Sequence, residues 1–302
     1  MRLTNNTITL CKACFSRYLE AKVKKTIRKH HLIEKGDHIG IAVSGGKDSS
    51  TLLHLLGKTF KERKDIKITA IAIDEGIEGY RDECLNFVKP LCEKYKIPLY
   101  IKSFKEEIGT TLDEVLKKEK IKPCSFCGVM RRYLLNKTAK ELGITKLATG
   151  HNLDDEAQTI LLNQIRRNTK TSARLGPLTG IIDDKKFIRR IKPLYFLTEK
   201  EIATYAYLHN LMTRFNECPH SHEAVRDDIR NLLNTLEAKY EGTKQSIVAA
   251  FLETLPSLKE HYKKEGNTLK YCQLCEEPSS QEICQRCNLL NKYSKKSNVI
   301  LS

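Results

Sequence analysis

The chain has 302 residues, and its 40% apolar content is enough to bury one large core with small appendages beside it. Lysine and arginine number 53 against 37 acidic residues, and this formal charge of +16 is spread along the chain, which favours nucleic acid as a polyanionic partner. No apolar run is long enough to span a bilayer and residues 1–10 lack the pattern of a signal peptide, so we expect a cytoplasmic protein with no membrane partner.

An N-terminal arm is predicted over residues 1–30. Its C-x-x-C pair, Cys11 and Cys14, offers half of the ligands of a tetrahedral zinc site, which either stays a half-site or recruits ligands such as His30 or His31. The stretch "KVKKTIRKHH" behind the pair predicts a basic helix. This helix either follows RNA phosphates or presents a solvated face.

Residues 31–225 alternate β-rich apolar runs with amphipathic helical patterns. The runs "HIGIAVSG", "IKITAIAID" and "IPLYIKSF" are separated by helical stretches, and further strands are predicted at residues 146–150 and 187–194. Apolar strands that alternate with helices indicate a parallel sheet covered on both faces, so the fold class is α/β. Within this domain, "RRNTKTSARLGPLTG" predicts an irregular and mobile basic loop.

The first strand leads into "SGGKDSS", which differs from the P-loop pattern because Gly45 and Gly46 are adjacent and Lys47 is followed by a carboxylate. Glycines allow the backbone to approach a phosphate, and the helix that follows directs its free N–H groups there. Lys47 can neutralise phosphate charge, while Asp48 suits a Mg²⁺ ion that bridges pyrophosphate. The alternative is a capped glycine turn without a ligand.

A second loop, "TGHNLDDEAQT", follows the predicted strand at residues 146–150. Gly150 permits a close approach, and acidic residues such as Asp155 open a helix where carboxylates suit the dipole. By itself this pattern is equally typical of a capped helix.

The stretch "KPCSFCGVMRR" is followed about ninety residues later by "NECPHS". Cys124 and Cys127 stand at the start of a helix, where the dipole favours thiolates, and Arg131 follows one turn later. Three interpretations compete: a redox pair, a Cys₃His zinc site completed by Cys218 and His220, or three ligands of an iron–sulfur cluster. Cys84 and Cys92 have no such pattern, and we expect both to be buried as small apolar side chains.

The last third of the chain contains a helical segment, residues 226–265, and a metal-binding end, residues 266–302. The segment has the three-to-four spacing of amphipathic helices. The end carries a complete Cys₄ set in two C-x-x-C pairs, which suits a structural zinc ribbon: Cys272, Cys275, Cys284 and Cys287.

These motifs resemble a known family. S-G-G-K-D-S is the signature of the PP-loop ATP pyrophosphatases, and with "TGHNLDDEAQT" and the cysteines it is similar to the tRNA 2-thiouridine synthetases of the TtcA/TtuA type, including the archaeal and eukaryotic wobble-uridine thiolases. The resemblance implies a Rossmann-like PP-loop domain, a helical C-terminal segment and a terminal zinc ribbon. It also implies that Cys124, Cys127 and Cys218 hold a [4Fe–4S] cluster with one iron free of protein ligands.

The implied activity is an ATP-dependent tRNA 2-sulfurtransferase, which adenylates a uridine C2 oxygen and replaces it with sulfur delivered through the cluster. The residues expected to bind ATP are Ala42, Ser44, Gly45, Gly46, Lys47, Asp48, Ser49, Asp74 and Gly150. The residues expected to be catalytic are Lys47, Asp48, Arg131 and Asp155. Relatives often carry lysine in place of Arg131, so we expect charge stabilisation rather than proton transfer, because arginine stays protonated.

The implied cofactors are ATP, Mg²⁺, Zn²⁺ and the cluster. The implied partners are tRNA and either sulfide or a ubiquitin-like carrier with a thiocarboxylate tail, and the family favours a homodimer. Two alternatives differ in chemistry. A PP-loop tRNA ligase or amidotransferase has no need of the cysteine triad, and a non-enzymatic zinc-ribbon RNA-binding protein has no need of ATP.

Overall fold

The structure, a computed structural model, describes residues 9–118, 121–181, 187–211, 218–220, 224–264, 270–279 and 281–297. The strands are β1 (His38–Ala42), β2 (Lys67–Asp74), β3 (Leu99–Ser103), β4 (Lys146–Ala148), β5 (Arg189–Ile191), β6 (Lys270–Tyr271) and β7 (Pro278–Ser279). The helices are α1 (Lys12–Lys29), α2 (Lys47–Phe60), α3 (Arg81–Lys94), α4 (Phe104–Ile108), α5 (Leu112–Lys118), α6 (Pro123–Glu141), α7 (Leu153–Ile165), α8 (Thr169–Ser172), α9 (Glu199–Leu208), α10 (Ala224–Lys239), α11 (Thr243–Lys264) and α12 (Gln285–Ser297). The absence of a signal peptide was predicted from residues 1–10, and residues 1–8 of this stretch lie outside the described part of the chain.

The first five strands form one parallel sheet in the order β3-β2-β1-β4-β5. The central strand β1 pairs with β2 on one side and β4 on the other, so that Ile39 lies opposite both Ile68 and Lys146. The strand order reverses between β1 and β4, and the loops that leave these strands therefore start side by side at the carboxyl edge, where ligands bind in such sheets. The prediction of a Rossmann-like α/β fold is confirmed.

Helices cover both faces of the sheet. Alternate side chains of β2 point to opposite sides: Ala70 and Ala72 belong to the core under α1, α2, α3 and α9, whereas Ile71 and Ile73 belong to the core under α4, α5 and α6. Burial on both faces explains why this strand reads as a continuous apolar run.

Helix α1 packs into the domain that follows it. Its buried side chains Phe15, Leu19, Val23 and Ile27 share a core with β1, and Lys22 pairs with Glu201 of α9 at 3.0 Å. The residues predicted as a basic arm therefore have one face in the core of the sheet domain. Their exposed face carries Lys24, Lys25, Arg28 and Lys29.

The basic segment at residues 166–180 differs from the predicted irregular loop. It contains the short helix α8, and Ser172 and Ala173 are buried. Its backbone is also tied to the end of the sheet, because the Thr179 N–H donates to the Arg190 carbonyl and the Lys192 N–H to the Pro177 carbonyl, both at 2.9 Å. These backbone hydrogen bonds could not be predicted from the polar sequence of the segment, because backbone pairing does not require apolar side chains.

Helices α10 and α11 pack against α7. Leu153 and Ile160 of α7 share a core with Leu233 of α10 and Phe251 of α11. The helical segment therefore rests on the helix that follows the second predicted loop. None of the helices in the described ranges is long and apolar enough to cross a membrane.

His54 of α2 is buried with 5% of its surface exposed. Its Nδ1 lies 2.7 Å from the Tyr95 hydroxyl, and its ring lies 5.1 Å from that of His209. Burial lowers the pKa of His54 to about 4, and the neighbouring His209, Lys94 and Lys58 act in the same direction. The native state therefore requires a neutral imidazole here.

Acidification from pH 6.5 to pH 4 is expected to lower the free energy of unfolding by up to about 3 kcal/mol through His54. Above pH 6.5 the imidazole is neutral in both the folded and the unfolded state. Between pH 6.5 and about pH 4 the unfolded chain binds a proton at His54 and the folded chain does not, so acidification favours unfolding. Urea denaturation across this range measures the slope. The variant His54→Asn should flatten it, while His31→Asn, whose side chain is 81% exposed, should not. Equal slopes in all three proteins would contradict the assignment.

Candidate functional site

The loop after β1 turns tightly against α3. Gly45 has a positive φ of 82°, and a Cβ at this position would lie 2.7 Å from Cβ and the carbonyl oxygen of Cys84. Only glycine satisfies both conditions. Gly46, in contrast, is the N-cap of α2 and faces open space, where an added Cβ would meet only Ser44 Oγ at 3.5 Å. Space for a ligand is therefore found over Gly46.

Hydroxyl groups brace this loop from inside. Ser44 donates its N–H to Ser49 Oγ at 3.1 Å, and Ser49 Oγ donates to the Gly46 carbonyl at 3.0 Å. Ser49 is only 7% exposed. Its hydroxyl fixes the shape of the loop, while the N–H groups that open α2 point out of it.

Lys47 lies between two carboxylates. Its Nζ is 2.8 Å from Glu199 Oε1 and 3.1 Å from Asp48 Oδ2. Burial acts to lower the pKa of Lys47, but Asp48 and Glu199 outweigh it and raise the pKa. The ammonium group is thus charged and held at the mouth of the loop. Sequence reasoning missed Glu199, which comes from α9, about 150 residues further on.

The second predicted loop, after β4, contacts the first. A Cβ on Gly150 would lie 3.0 Å from the Asp48 carbonyl carbon, so glycine permits this approach. Asn152 donates from Nδ2 to Asp48 Oδ1 at 3.1 Å and also caps α7, where its side chain accepts from the Asp155 N–H. Asn152 therefore connects the two loops.

Asp155 completes the capping box of α7 and faces a cation from α10. Its Oδ2 accepts from the Asn152 N–H at 3.2 Å, and its Oδ1 accepts from Arg226 Nη2 at 3.2 Å. Burial raises the pKa of Asp155, and Arg226 opposes this shift. Burial likewise raises the pKa of Asp48. Two carboxylates in one cleft at the end of the sheet are suitable oxygen ligands for Mg²⁺.

The cysteines lie on the far wall of this edge. Cys124 and Cys127 stand in the first two turns of α6, and Cys127 and Cys218 pack against the same apolar core. The Cys124 thiol donates to the His220 carbonyl at 3.1 Å. Residues 218–220 therefore lie against the start of α6, so the three thiols predicted from distant motifs lie in the same part of the structure.

At Cys127, partial burial opposes the thiolate that the start of the helix favours. Burial raises the pKa of this thiol to about 12, and the Glu75 carboxylate raises it further, while Arg131 lowers it. The helix dipole predicted the opposite because the sequence does not show how deeply the sulfur is buried. A bound metal would be needed to hold this sulfur as a thiolate.

His220 does not complete a Cys₃His zinc site in this arrangement. Its Nε2 lies 3.4 Å from Asp113 Oδ1, and among the described residues no set of three or more potential metal ligands that includes the triad lies within 4.8 Å of one another. Single-ion coordination would require such close sulfurs. A cluster binds each thiolate through a different iron, so it does not require the three sulfurs to converge on one ion.

A buried ion pair connects the two walls. Arg81 donates from Nη1 to the Ser44 carbonyl at 3.0 Å and pairs through Nη2 with Glu75, which is 1% exposed. Glu75 Oε1 also lies 3.7 Å from Arg131 Nη1. This carboxylate therefore links the first loop to the helix that carries Cys127. Glu75 and Arg81 were missed in the sequence, although Glu75 directly follows β2 at the ligand edge.

Asp74 and Ala42 occupy the expected ends of β2 and β1. The Asp74 carboxylate accepts from the Gly76 N–H at 2.8 Å, which shapes the turn after β2. The neighbouring cysteine Cys84 is buried as expected, as is Cys92 in the core.

The four C-terminal cysteines form a compact group whose sulfurs all lie within 4.8 Å of one another. The Cys284 N–H donates to Cys272 Sγ at 3.2 Å and the Cys287 N–H to Cys284 Sγ at 3.4 Å, bonds that favour thiolates. Four thiolates in this geometry suit tetrahedral zinc. The ribbon docks on α6, because Glu277 pairs with Lys140 at 2.7 Å and Arg286 lies over the Tyr133 ring at 4.0 Å.

Replacing Cys272 with serine is expected to lower the zinc content by one ion per chain, since serine is a poor ligand for this metal. The ribbon should then become sensitive to limited proteolysis while the sheet domain stays resistant, because a metal bound to these cysteines would substitute for an apolar core there. Metal analysis and mass spectrometry of the fragments measure both effects. Cys11→Ser is the control. Unchanged zinc in Cys272→Ser would exclude this site.

Cys11 and Cys14 stand at the first turn of α1, where Cys11 is exposed. His30 and His31 follow the opposite end of this 18-residue helix, so they do not complete a site with the pair. Among the described residues, no third ligand joins Cys11 and Cys14. The pair remains a half-site.

The comparisons with known proteins agree with this geometry. Residues 16–237 match the model of the PP-loop domain family, and the chain belongs to that family of ATP-site proteins. It is 38% identical over 295 residues to the tRNA 2-thiolation protein NcsA of Haloferax volcanii, covering 93% of this chain and 92% of the relative. It is also 38% identical over 278 residues to the tRNA-5-methyluridine(54) 2-sulfurtransferase of Pyrococcus horikoshii, covering 92% of this chain and 86% of the relative.

A solved structure is similar over nearly the whole chain. The U34-tRNA thiolase NcsA from Methanococcus maripaludis, determined with its [4Fe-4S] cluster, has a TM-score of 0.80 and 33% identity and covers 97% of this chain and 92% of its own. Within the PP-loop family, this chain is therefore a member of the tRNA 2-thiolation enzymes.

Proposed function

We propose that this chain replaces the C2 oxygen of a tRNA uridine with sulfur at the expense of ATP. The uridine oxygen attacks the α-phosphorus, which forms a C2–O–P bond and releases pyrophosphate. Hydrosulfide then adds to C2, its proton passes to solvent, and AMP leaves with the former uridine oxygen. Uridine, ATP and hydrosulfide thus give 2-thiouridine, AMP and pyrophosphate.

The main support is the placement of two chemistries at one sheet edge. The loop around Lys47 has the features of a phosphate site, the three cysteines stand on the opposite wall, and Glu75 with Arg81 joins them. A base bound between the walls would have its activating phosphate on one side and its sulfur source on the other.

In the activating half, Lys47 would neutralise phosphate charge, and Asp48 with Asp155 would hold Mg²⁺ against the pyrophosphate. Burial raises the pKa values of both carboxylates, and a divalent ion would favour their charged forms. Lys47 has to exchange Glu199 for a phosphate oxygen, which its flexible stem allows.

In the sulfur half, Cys124, Cys127 and Cys218 would hold a [4Fe–4S] cluster. When bound through three thiolates, such a cluster has one iron that can take a sulfur ligand. Arg131, on the turn after Cys127, would stabilise negative charge near the reacting C2 atom, and its contact with Glu75 orients it.

The RNA would be positioned by phosphate contacts along the basic surface, which includes the exposed face of α1 and the segments around α8 and β5. Free sulfide or a thiocarboxylate on a ubiquitin-like carrier supplies the sulfur, and the active form is a homodimer in the cytoplasm. None of the described cysteines forms a disulfide bond, which suits that reducing compartment.

The two alternatives use less of the site. A ligase or amidotransferase would leave the cysteine wall without a role. A non-enzymatic RNA-binding protein would leave the network of Lys47, Asp48, Asn152 and Asp155 without a role.

The test is anaerobic purification followed by iron and sulfide analysis and a thiolation assay with unmodified tRNA, ATP, Mg²⁺ and sulfide. We expect about four irons per chain beside the ribbon zinc, and one AMP and one pyrophosphate per thiolated nucleoside. Nucleoside mapping at positions 34 and 54, the uridines in the names of the relatives, identifies the target. Zinc without iron at the triad, or pyrophosphate release without thiolation, would refute the proposal.

A further inference from the structure

Helix α6 presents two adjacent arginines one turn after its cysteine pair. Gly128 is buried, and a Cβ there would lie 3.2 Å from Arg132 Nη1. The glycine therefore leaves room for the Arg132 guanidinium to fold back over the start of the helix, on the side of Cys127. Any larger residue at position 128 would push this group away.

Strand β5 brings a third arginine to the same place. The Ile188 N–H donates to Asn136 Oδ1 on α6 at 3.3 Å, and Ile188 packs against the core that α6 covers. Residues two apart on a strand share a face, so Arg190 also points towards α6. It stands next to the carboxyl end of β5, which is the ligand edge of the sheet.

These guanidinium groups are crowded, and within the described part of the chain only Arg131 has a carboxylate partner among Arg131, Arg132 and Arg190. Burial lowers the pKa of Arg190 to about 10, and the charges of Arg132 and Arg131 contribute to the shift. Glu75 pairs with Arg131 and Arg81. No carboxylate of the described residues lies within 4.0 Å of Arg132 or Arg190. Placing several partly desolvated positive charges next to one another costs free energy unless an anion binds between them.

We infer that Arg132 and Arg190 together bind one phosphodiester group of the RNA, next to Cys127. This inference rests on the proposed function and deepens it. Two guanidinium forks match the oxygens of a phosphate, and both arginines lie on elements other than the nucleotide loop, Arg132 on α6 and Arg190 on β5. An RNA held here has its backbone fixed beside the sulfur wall, so that a flipped uridine can enter between the walls.

The test compares Arg132→Gln, Arg190→Gln and the double variant in tRNA binding, with an unmodified tRNA transcript titrated from low to high salt. Each single variant should bind about tenfold more weakly but keep the salt dependence, because the remaining arginine still neutralises the phosphate. The double variant should lower the slope of log K against log salt by about 0.7 to 0.9, the value for one lost phosphate contact.

Arg63→Gln is the matched control, since Arg63 pairs with Asp65 before β2, at the opposite edge of the sheet. Arg190→Lys should keep the slope, because the charge remains.

ATP affinity and iron content should match the wild type in every variant. Weakened ATP binding would mean that the arginines contact the nucleotide instead of the RNA. If each single variant already lowered the slope of log K against log salt, and the double variant lowered it twice as much, each arginine would contact a separate phosphate. Unchanged tRNA binding, or loss of carrier-dependent thiolation alone, would also overturn the inference. Failure of the wild-type protein to thiolate tRNA would refute the proposed function instead.

Discussion

Cys127→Ala is expected to lower tRNA thiolation by at least about 10²-fold and to remove most of the iron, while ATP affinity stays within about twofold of the wild type. Cys127 lies in the second turn of α6 and packs against the same apolar core as Cys218, so its loss would remove one of the three proposed ligands. The nucleotide network of Lys47, Asp48 and Asn152 lies on the other wall and keeps its own hydrogen bonds. Iron analysis, nucleoside quantification and ATP titration give the three readings.

Cys92→Ala is the matched control for this variant. Cys92 is a buried thiol, 2% exposed, that belongs to the core on the other face of the sheet from Cys127. Its truncation should cost some stability and leave iron and thiolation intact. If Cys127→Ala retained its iron, or if Cys92→Ala lost it, the assignment of the sulfur wall would be wrong.

The sheet could be predicted because its strands are buried on both faces. The continuous apolar runs at β1 and β2 and the amphipathic helices between them leave few alternatives, and the structure places these elements where the sequence does. The segment at residues 166–180 could not be predicted in this way. Its order comes from backbone bonds to β5 and from the burial of Ser172 and Ala173, neither of which has a periodic pattern.

The candidate site also contains residues that could be predicted from the sequence and residues that could not. The loop from Ser44 to Ser49 is contiguous, so its chemistry can be recognised in a short window of sequence. Glu199 and Arg226 come from α9 and α10, and each reaches the cleft as one charged residue on an otherwise ordinary helix. No local signal separates them from surface charges, because only the packing of these helices on α2 and α7 places them.

The pKa of Cys127 illustrates the physical limit. A helix start lowers the pKa of a thiol by a modest amount, whereas burial can raise it by several units and at Cys127 outweighs the charge of Arg131. The sequence shows that Cys127 stands near the start of a helix, but it does not show how far the thiol is buried. The same applies to Gly46, whose open space could be distinguished from the crowding at Gly45 only in three dimensions.

Glu75→Gln is expected to lower the free energy of unfolding by about 3 to 5 kcal/mol, the usual cost of removing one partner of a buried ion pair. Arg81 is 5% exposed and would lose the carboxylate that balances its charge, while its bond to the Ser44 carbonyl would remain. Urea denaturation measures the loss. Glu78→Gln is the matched control in the same turn, because Glu78 is exposed, and it should change stability by less than about 0.5 kcal/mol.

The double variant Glu75→Gln/Arg81→Met distinguishes a lost pair from general damage to the turn. Removing both buried charges leaves only Arg131 without its carboxylate, and the Arg131 side chain is 47% exposed to solvent, so we expect the double variant to be more stable than Glu75→Gln alone. Thiolation should nevertheless remain slow in the double variant, because Ser44 has lost its guanidinium donor and Arg131 its carboxylate. Stability would thus recover while activity does not. Recovery of both would mean that the pair only stabilises the fold, and recovery of neither would mean that the turn after β2 cannot tolerate these substitutions and does not couple the two walls.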